Sequence, residues 1–338
     1  MRIFFAATSA ALAIAAAAPA HALTVPRFDH VVIIMLENHS DLSIVGNPNA
    51  PKITRLAFDN AYGSAYYGVT HPSLPNYVAM TSGNNWYSNS DDPTQRFDHR
   101  NIVDQLEERG MSWKAYMQAL PSAGFSGNFY PTADPDAALY VIRHDPFMLY
   151  ADVAGNPARR RRVVPLERLA DDLRTGKLPR FAWISPDICH DMHGMSGPQC
   201  PYGNDPALRR AGDEFVAQWV TRIVQSRAWT NRSVIFITTD ETTYNGNKLT
   251  GGWLNANACC DAPVVAKGFP EFPKGGAYGG GLVPMIVISG IGKKHFVSNV
   301  VHSHYSVLRT IEESWGLGYL GMAADANQVR SMWEFFRR

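Results

Sequence analysis

Ser73 carries the hydroxyl with the best claim to chemistry in this chain. It sits in Thr70-His71-Pro72-Ser73-Leu74-Pro75-Asn76-Tyr77, ahead of an apolar, helix-compatible run through Met80 that ends at Ser82-Gly83. Proline early in a helix loses no needed N–H, so Ser73 falls at or just before a helix start. Unpaired backbone donors and the positive dipole end favour an oxyanion or phosphate there. A hydroxyl so placed is a candidate nucleophile. The competing reading is an ordinary serine N-cap followed by proline, and the stretch alone favours that reading.

Acidic residues elsewhere change the balance. Glu37 and Asn38 follow the apolar run Val31 to Leu36, and Asp240 and Glu241 close the run Val234 to Ile237. After Phe181 to Ser185 comes Pro186-Asp187-Ile188-Cys189-His190-Asp191-Met192-His193-Gly194, in which Asp187, Asp191 and His193 stand out. Continuous apolar runs of this kind are expected of strands buried on both faces in a parallel sheet. Open α/β sheets bind ligands outside the carboxyl ends of their strands. Acids gathered there would repel one another unless a cation or a shared proton intervened. His304 opens a helical pattern through Val307, Leu308, Ile311 and Trp315, as a ligand or as a structural residue near the cap.

These residues need a scaffold, and the remaining patterns supply one. Pro284 to Ser289 reads as another strand and Trp113 to Met117 as a further one. Helical spacing is found from Asn101 to Gly110 and from Gly212 to Ile223. Residues 119–160 read as loops over one face, and residues 245–281 as a Gly-rich region carrying Trp253, Cys259 and Cys260. Arg2, the Ala-rich run to Ala18 and Ala20-His21-Ala22 form a secretory signal peptide over residues 1–22, leaving residues 23–338 as a single domain. No later segment is apolar for long enough to span a bilayer. The mature protein is therefore expected to be periplasmic or secreted, without a stable membrane anchor.

Net charge is +1 in 338 residues, which gives no reason to expect a nucleic-acid partner. The one basic block, Arg159 to Arg162, reads as a solvated loop or helix start. The four cysteines, Cys189, Cys200, Cys259 and Cys260, fit disulfides in an oxidising compartment better than zinc thiolates, with the pairing open.

Five stretches in chain order carry a resemblance: Leu36-Glu37-Asn38-His39-Ser40, Ser73-Leu74-Pro75-Asn76-Tyr77, Ser185-Pro186-Asp187 with Asp191 and His193, Thr239-Asp240-Glu241, and His304 to Glu312. The chain resembles the phosphoesterase family, a branch of the alkaline phosphatase superfamily that includes bacterial phospholipases C and secreted acid phosphatases. The resemblance implies an α/β fold, a largely parallel central sheet flanked by helices. It implies a divalent cation, with Glu37, Asn38, Asp240 and Glu241 as ligands beside the Ser73 nucleophile. Ser-Leu-Pro-Asn is similar to the Thr-Phe-Pro-Asn nucleophile motif of related nucleotide pyrophosphatases. Glu241 departs from the Asp-His pair of the wider superfamily. His193 and His304, with Asp187 or Asp191, would form the second half of the site, around a second cation or the phosphate and leaving group. The implied activity is phosphomonoester hydrolysis of a small phosphorylated substrate through a phosphoserine. A phospholipase C is the alternative within the family, and an exported phosphate- or metal-binding protein without turnover is the alternative outside it.

Overall fold

The computed structural model describes residues 24–243 and 279–337. The expected signal peptide, Trp253 and the adjacent Cys259 and Cys260 lie outside the described residues.

The apolar runs form strands. We number those of the main sheet β1 (Val31–Leu36), β2 (Ala61–Gly63), β3 (Trp113–Met117), β4 (Val163–Pro165), β5 (Phe181–Ser185), β6 (Val234–Thr239), β7 (Met285–Ser289) and β8 (Phe296–Ser298). Their spatial order is β8-β2-β7-β6-β1-β5-β3-β4. Every pairing is parallel except those of β7, which runs against both β6 and β2. The expected largely parallel sheet is therefore present, and β1 lies at its centre between β6 and β5.

Strand side chains alternate between faces. Val31, Ile33 and Met35 join Leu74, Tyr77, Val78 and Leu308 in one core. Val32, Ile34 and Leu36 pack with Ile53, Val216 and Trp219 in the other. By the same parity Glu37 follows Met35 toward the side that carries the Ser73–Ser82 helix. The register pairs Leu36 with Thr239, so Glu37 and Asp240 both emerge one residue beyond a matched pair.

The helices expected around residues 101–110 and 212–223 run over Ile102–Glu108 and Asp205–Val224. Residues 119–160 are not the loops expected of them. They hold a hairpin of Phe129–Tyr130 with Tyr140–Val141, a 3-10 turn at Ile142–His144 and short helices at Pro146–Leu149, Ala151–Ala154 and Pro157–Arg160. Proline opens two of these helices, and the Asp145 and Asn156 side chains cap them. Phe147, Leu149 and Tyr150 are fully buried, so the segment is part of the core. Arg159 of the basic block is a helix residue held by Asp104, Glu107 and Asp152.

Cys189 and Cys200 are joined in a disulfide with Cα atoms 5.5 Å apart. Among the described residues no helix is long and apolar enough to cross a membrane.

Candidate functional site

The carboxyl ends of the three central strands β6, β1 and β5 lie side by side, and the polar residues after each open onto one place. Ser73 meets them from the first position of its helix. The N-cap position belongs to Pro72, and no side chain caps the helix. Ser73 Oγ instead donates to Glu37 Oε2 at 3.0 Å and lies 3.4 Å from Glu241 Oε1. The competing reading of Ser73 as a cap is set aside by this geometry. Thr70 Oγ1 turns to the His71 carbonyl at 3.2 Å, and the His71 ring nitrogens face the carbonyls of Gly279 and Thr242. Of the Thr70 and Ser73 hydroxyls, that of Ser73 enters the cluster.

Asn76 explains why the turn before Ser73 is held so firmly. Its Oδ1 accepts from the backbone N–H groups of Val69 and Thr70 at 2.8 and 3.0 Å. Its Nδ2 donates to the Thr70 carbonyl at 2.7 Å and to Glu241 Oε2 at 3.2 Å. One amide thus fixes both the approach to the helix and an acid of the site. At the helix start the Leu74 N–H is taken by Asp91 Oδ1 at 2.9 Å.

Glu37 is fully buried, with Oε1 accepting from the Tyr77 hydroxyl at 2.6 Å. Burial raises its pKa well above the usual carboxylate range, and the nearby Asp240 and Asp191 add to the rise. Burial also lifts Asp240, to about 7, although its Oδ1 accepts from the Asn38 N–H at 2.9 Å. Glu241 is raised by burial and then by Asp240. Asn38 bends the chain here at φ 53°, a left-handed conformation that asparagine tolerates well.

His144, from the segment expected to be loop, stands between two of these acids. Its Nε2 lies 3.1 Å from Glu37 Oε1 and its Nδ1 3.0 Å from Asp191 Oδ2. Its ring is stacked on Tyr77 at 5.4 Å, and burial, Arg143 and His193 pull its pKa down.

The expected second half of the site is only partly assembled. Asp191 Oδ1 accepts from the His193 backbone N–H at 2.8 Å, and the His193 ring lies 6.0 Å from that of His144. His193 Nδ1 holds the Gly194 carbonyl at 2.9 Å, and burial takes its pKa down to about 4. Asp187 is engaged in its own turn, by the backbone N–H groups of Cys189 and His190 and by His190 Nδ1 at 2.7 Å. His304 stands one layer back, its Nε2 on the Asp240 carbonyl at 2.6 Å and its Nδ1 on the Tyr66 hydroxyl at 2.9 Å. It supports the end of β6.

Among the described residues no three His, Cys, Asp or Glu side chains form a ready-made metal-binding group. The converging donors are mixed, and several are unspent. Asn38 Oδ1 and Asp240 Oδ2 are buried without a hydrogen-bond partner, and Glu37 Oε1 and Asp191 Oδ2 face the His144 ring. Buried polar atoms are ordinarily paired, and buried acids are ordinarily compensated. An oxygen-rich set of Glu37, Asn38, Ser73, Asp240 and Glu241 suits a hard divalent cation. The residues therefore fit such an ion.

Tyr77, Asp91, Arg143 and His144 were not singled out from the sequence. Tyr77 is hidden in an apolar helical run, and the others come from irregular segments. The one available signal was the polar trio Arg143-His144-Asp145 set between Val141-Ile142 and Pro146-Phe147.

The family model described as Phosphoesterase family matches residues 48–318, with Glu37 and Asn38 just ahead of the matched span. A phosphate-repressible acid phosphatase of Penicillium chrysogenum is 26% identical over 296 residues, 87% of this chain and 60% of that protein. A phosphatidylinositol-3-phosphatase of Mycobacterium tuberculosis is 26% identical over 313 residues, 92% of this chain and 85% of that protein. The chain spans about 60% of the length of the Penicillium relative and of a Kluyveromyces lactis probable acid phosphatase. Among solved structures, a Vibrio parahaemolyticus protein of the alkaline phosphatase superfamily superposes with a TM-score of 0.52 at 12% identity, covering 86% of this chain and 67% of that one. A phosphonate monoester hydrolase of Agrobacterium radiobacter gives a TM-score of 0.52 at 14% identity, covering 91% and 77%. These likenesses show the fold.

Proposed function

This chain belongs to the phosphoesterase family, and on that premise we propose that it is an exported, metal-dependent phosphomonoesterase of the acid phosphatase kind, acting through a phosphoserine at Ser73. The observation that carries the reading is the position of Ser73 Oγ, hydrogen-bonded to Glu37 and facing Glu241 at the ends of the central strands.

Glu37, Asn38, Asp240 and Glu241 would hold the cation beside Ser73. When bound, it supplies charge neutralisation for the acids and lowers the pKa of the serine hydroxyl. The rest falls to the chain. Glu37 Oε2, already the acceptor of the Ser73 hydrogen bond, takes the proton as Oγ attacks phosphorus in line. The Oγ–P bond forms and the ester P–O bond breaks. The leaving alkoxide takes its proton from water, and His193, with its Nδ1–H on the Gly194 carbonyl, presents Nε2 as an acceptor that orients that water. Water then attacks the phosphoserine, and Ser73 leaves with its proton restored. Asn76 and Tyr77 keep Glu241 and Glu37 oriented throughout.

The relatives with acid phosphatase and phosphatidylinositol-3-phosphatase names support a monoesterase over a phospholipase C. Turnover of p-nitrophenyl phosphate beside phosphatidylcholine tests this. Monoester turnover is expected, and hydrolysis of the phospholipid diester alone would overturn it. Export, suggested by residues 1–22 and by the disulfide, is checked by mapping the mature N-terminus after secretion.

A further inference from the structure

Tyr202 is an exposed aromatic residue at the rim of a buried site, and the mechanism above gives it no task. Its ring lies 5.5 Å from that of His193, in an edge-to-face arrangement. The His193 ring is 6.0 Å from that of His144, whose Nε2 lies 3.1 Å from Glu37, and Glu37 accepts from Ser73 Oγ at 3.0 Å. Ser73, Glu37 and His144 are buried, whereas Tyr202 is 46% exposed. A series of contacts thus leads from the nucleophile out to solvent, and Tyr202 is its last member.

The backbone beneath this ring is tied down. The Tyr202 N–H donates to the Met195 carbonyl at 2.9 Å, and the Met195 N–H to the Cys200 carbonyl at 2.8 Å. The Cys189–Cys200 disulfide closes the same loop, and the Ser196 N–H fastens it to the Asp136 carbonyl at 3.0 Å. An aromatic contact held in place beforehand costs little ordering when something packs on it.

We propose that the Tyr202 ring packs against the leaving alcohol of the substrate and directs the site toward aryl phosphomonoesters. The proposal rests on the phosphomonoesterase reading of the site and adds the class of leaving group.

In-line attack puts the leaving oxygen on the side of phosphorus away from Ser73 Oγ. The mechanism above sets the departing alkoxide and its water beside His193 Nε2. The substituent on that oxygen continues outward from His193, where Tyr202 is the neighbouring ring. The acids and the cation act on the phosphoryl group, which is the same in every monoester, so they do not distinguish one alcohol from another. An aromatic ring does. A flat aryl group covers it in offset-stacked or edge-to-face contact, whereas a polyol gains no such contact. Tyrosine suits a half-exposed rim, because the ring body takes the contact while the hydroxyl stays in water.

The test compares metal-loaded wild type, Tyr202→Ala and Tyr202→Phe on phenyl phosphate and glycerol 2-phosphate. Calorimetry on benzylphosphonate and methylphosphonate, which carry like head groups and are not hydrolysed, reads binding alone. Tyr202→Ala is expected to lose about 3- to 10-fold in kcat/KM on phenyl phosphate and to stay within about twofold of wild type on glycerol 2-phosphate. The loss should fall on KM, since the ring contact is the same in the ground and transition states. The benzylphosphonate Kd should rise by the same factor while that of methylphosphonate holds, and Tyr202→Phe should match wild type throughout. Equal losses on both esters, unchanged benzylphosphonate binding in Tyr202→Ala, or a Phe variant as impaired as the Ala variant would each overturn the proposal. Should Tyr202→Ala not fold, Tyr202→Leu, which keeps apolar bulk without a ring, decides by the same pair of phosphonates. Absence of ester turnover in wild type would sink the phosphatase reading, while the phosphonate comparison would still judge Tyr202.

Discussion

Two groups of buried acids among the described residues are treated differently. Glu334, near the carboxyl terminus, accepts from His302 Nε2 at 2.6 Å and from Ser298 Oγ at 2.9 Å. Burial pushes its carboxyl up, but these partners more than offset the push and leave it below the usual range. Around Ser73 the acids are instead raised by burial and by one another, and buried oxygens of Asn38 and Asp240 lack partners. The difference teaches how to read a buried carboxylate. An acid completed by protein groups is architecture, whereas several raised acids gathered around one hydroxyl mark a place that something outside the chain completes.

Several measurements would break or sharpen this contrast. The largest effect is expected from Ser73→Ala, with turnover down by about 10³-fold or more in a folded protein. As an N-cap it would have cost about 1 kcal/mol of stability and little activity. Rapid acid quenching with labelled substrate should place phosphate on the peptide containing Ser73, and label elsewhere would reassign the nucleophile. Chelation comes next. Metal-stripped protein should lose turnover, melt earlier than the reloaded form, and regain both with one added divalent cation. Full activity in demonstrably metal-free protein would erase the distinction between the two settings.

At the completed acid the expectation reverses. His302→Ala should cost about 3–5 kcal/mol, because it strands a buried partner, yet leave turnover per folded molecule unchanged. Denaturant midpoints with active-site titration check both halves. The smallest effect concerns Glu312, which accepts from Gln105 Nε2 at 3.1 Å and from the Leu320 N–H at 2.8 Å. Burial lifts it to about 8 despite these bonds. The folded protein therefore holds this proton more tightly than the unfolded chain does. The stability it contributes is complete below the unfolded carboxylate range, near pH 4.5, and is lost as pH rises through about 8. Glu312→Gln should flatten that decline between about pH 4.5 and about pH 8 in a series of melting temperatures, and an unchanged slope would refute the assignment.

What was legible in the sequence follows from what leaves a pattern. Val31–Leu36 and Val234–Thr239 are buried on both faces, so they appear as unbroken apolar runs, and the acids at their ends are visible by contrast. Short strands such as Ala61–Gly63, inside the sheet, and Val163–Pro165, at its edge, are too short to show a period. His144 and Arg143 stand in a three-residue turn whose position depends on packing by Phe147 and Tyr150 rather than on its own composition. The Tyr77 hydroxyl was hidden for the opposite reason, since a helical apolar pattern says nothing of where one polar tip points. His304 was legible as part of the site but not as its outer support, because a strand-end carbonyl such as that of Asp240 carries no mark in a sequence.

The pairing of Leu36 with Thr239 has a consequence for how this protein can change. Backbone bonds between β1 and β6, not side-chain fit, bring Glu37 and Asp240 out together. Apolar residues within either strand can be exchanged for others of similar volume at modest cost. Length cannot be varied in the same way. Loss of a single residue from Val31–Leu36 would turn Glu37 toward the opposite core, away from Ser73. Descendants of this chain are thus free to drift in composition along β1 and β6, while deletions and insertions there are barred.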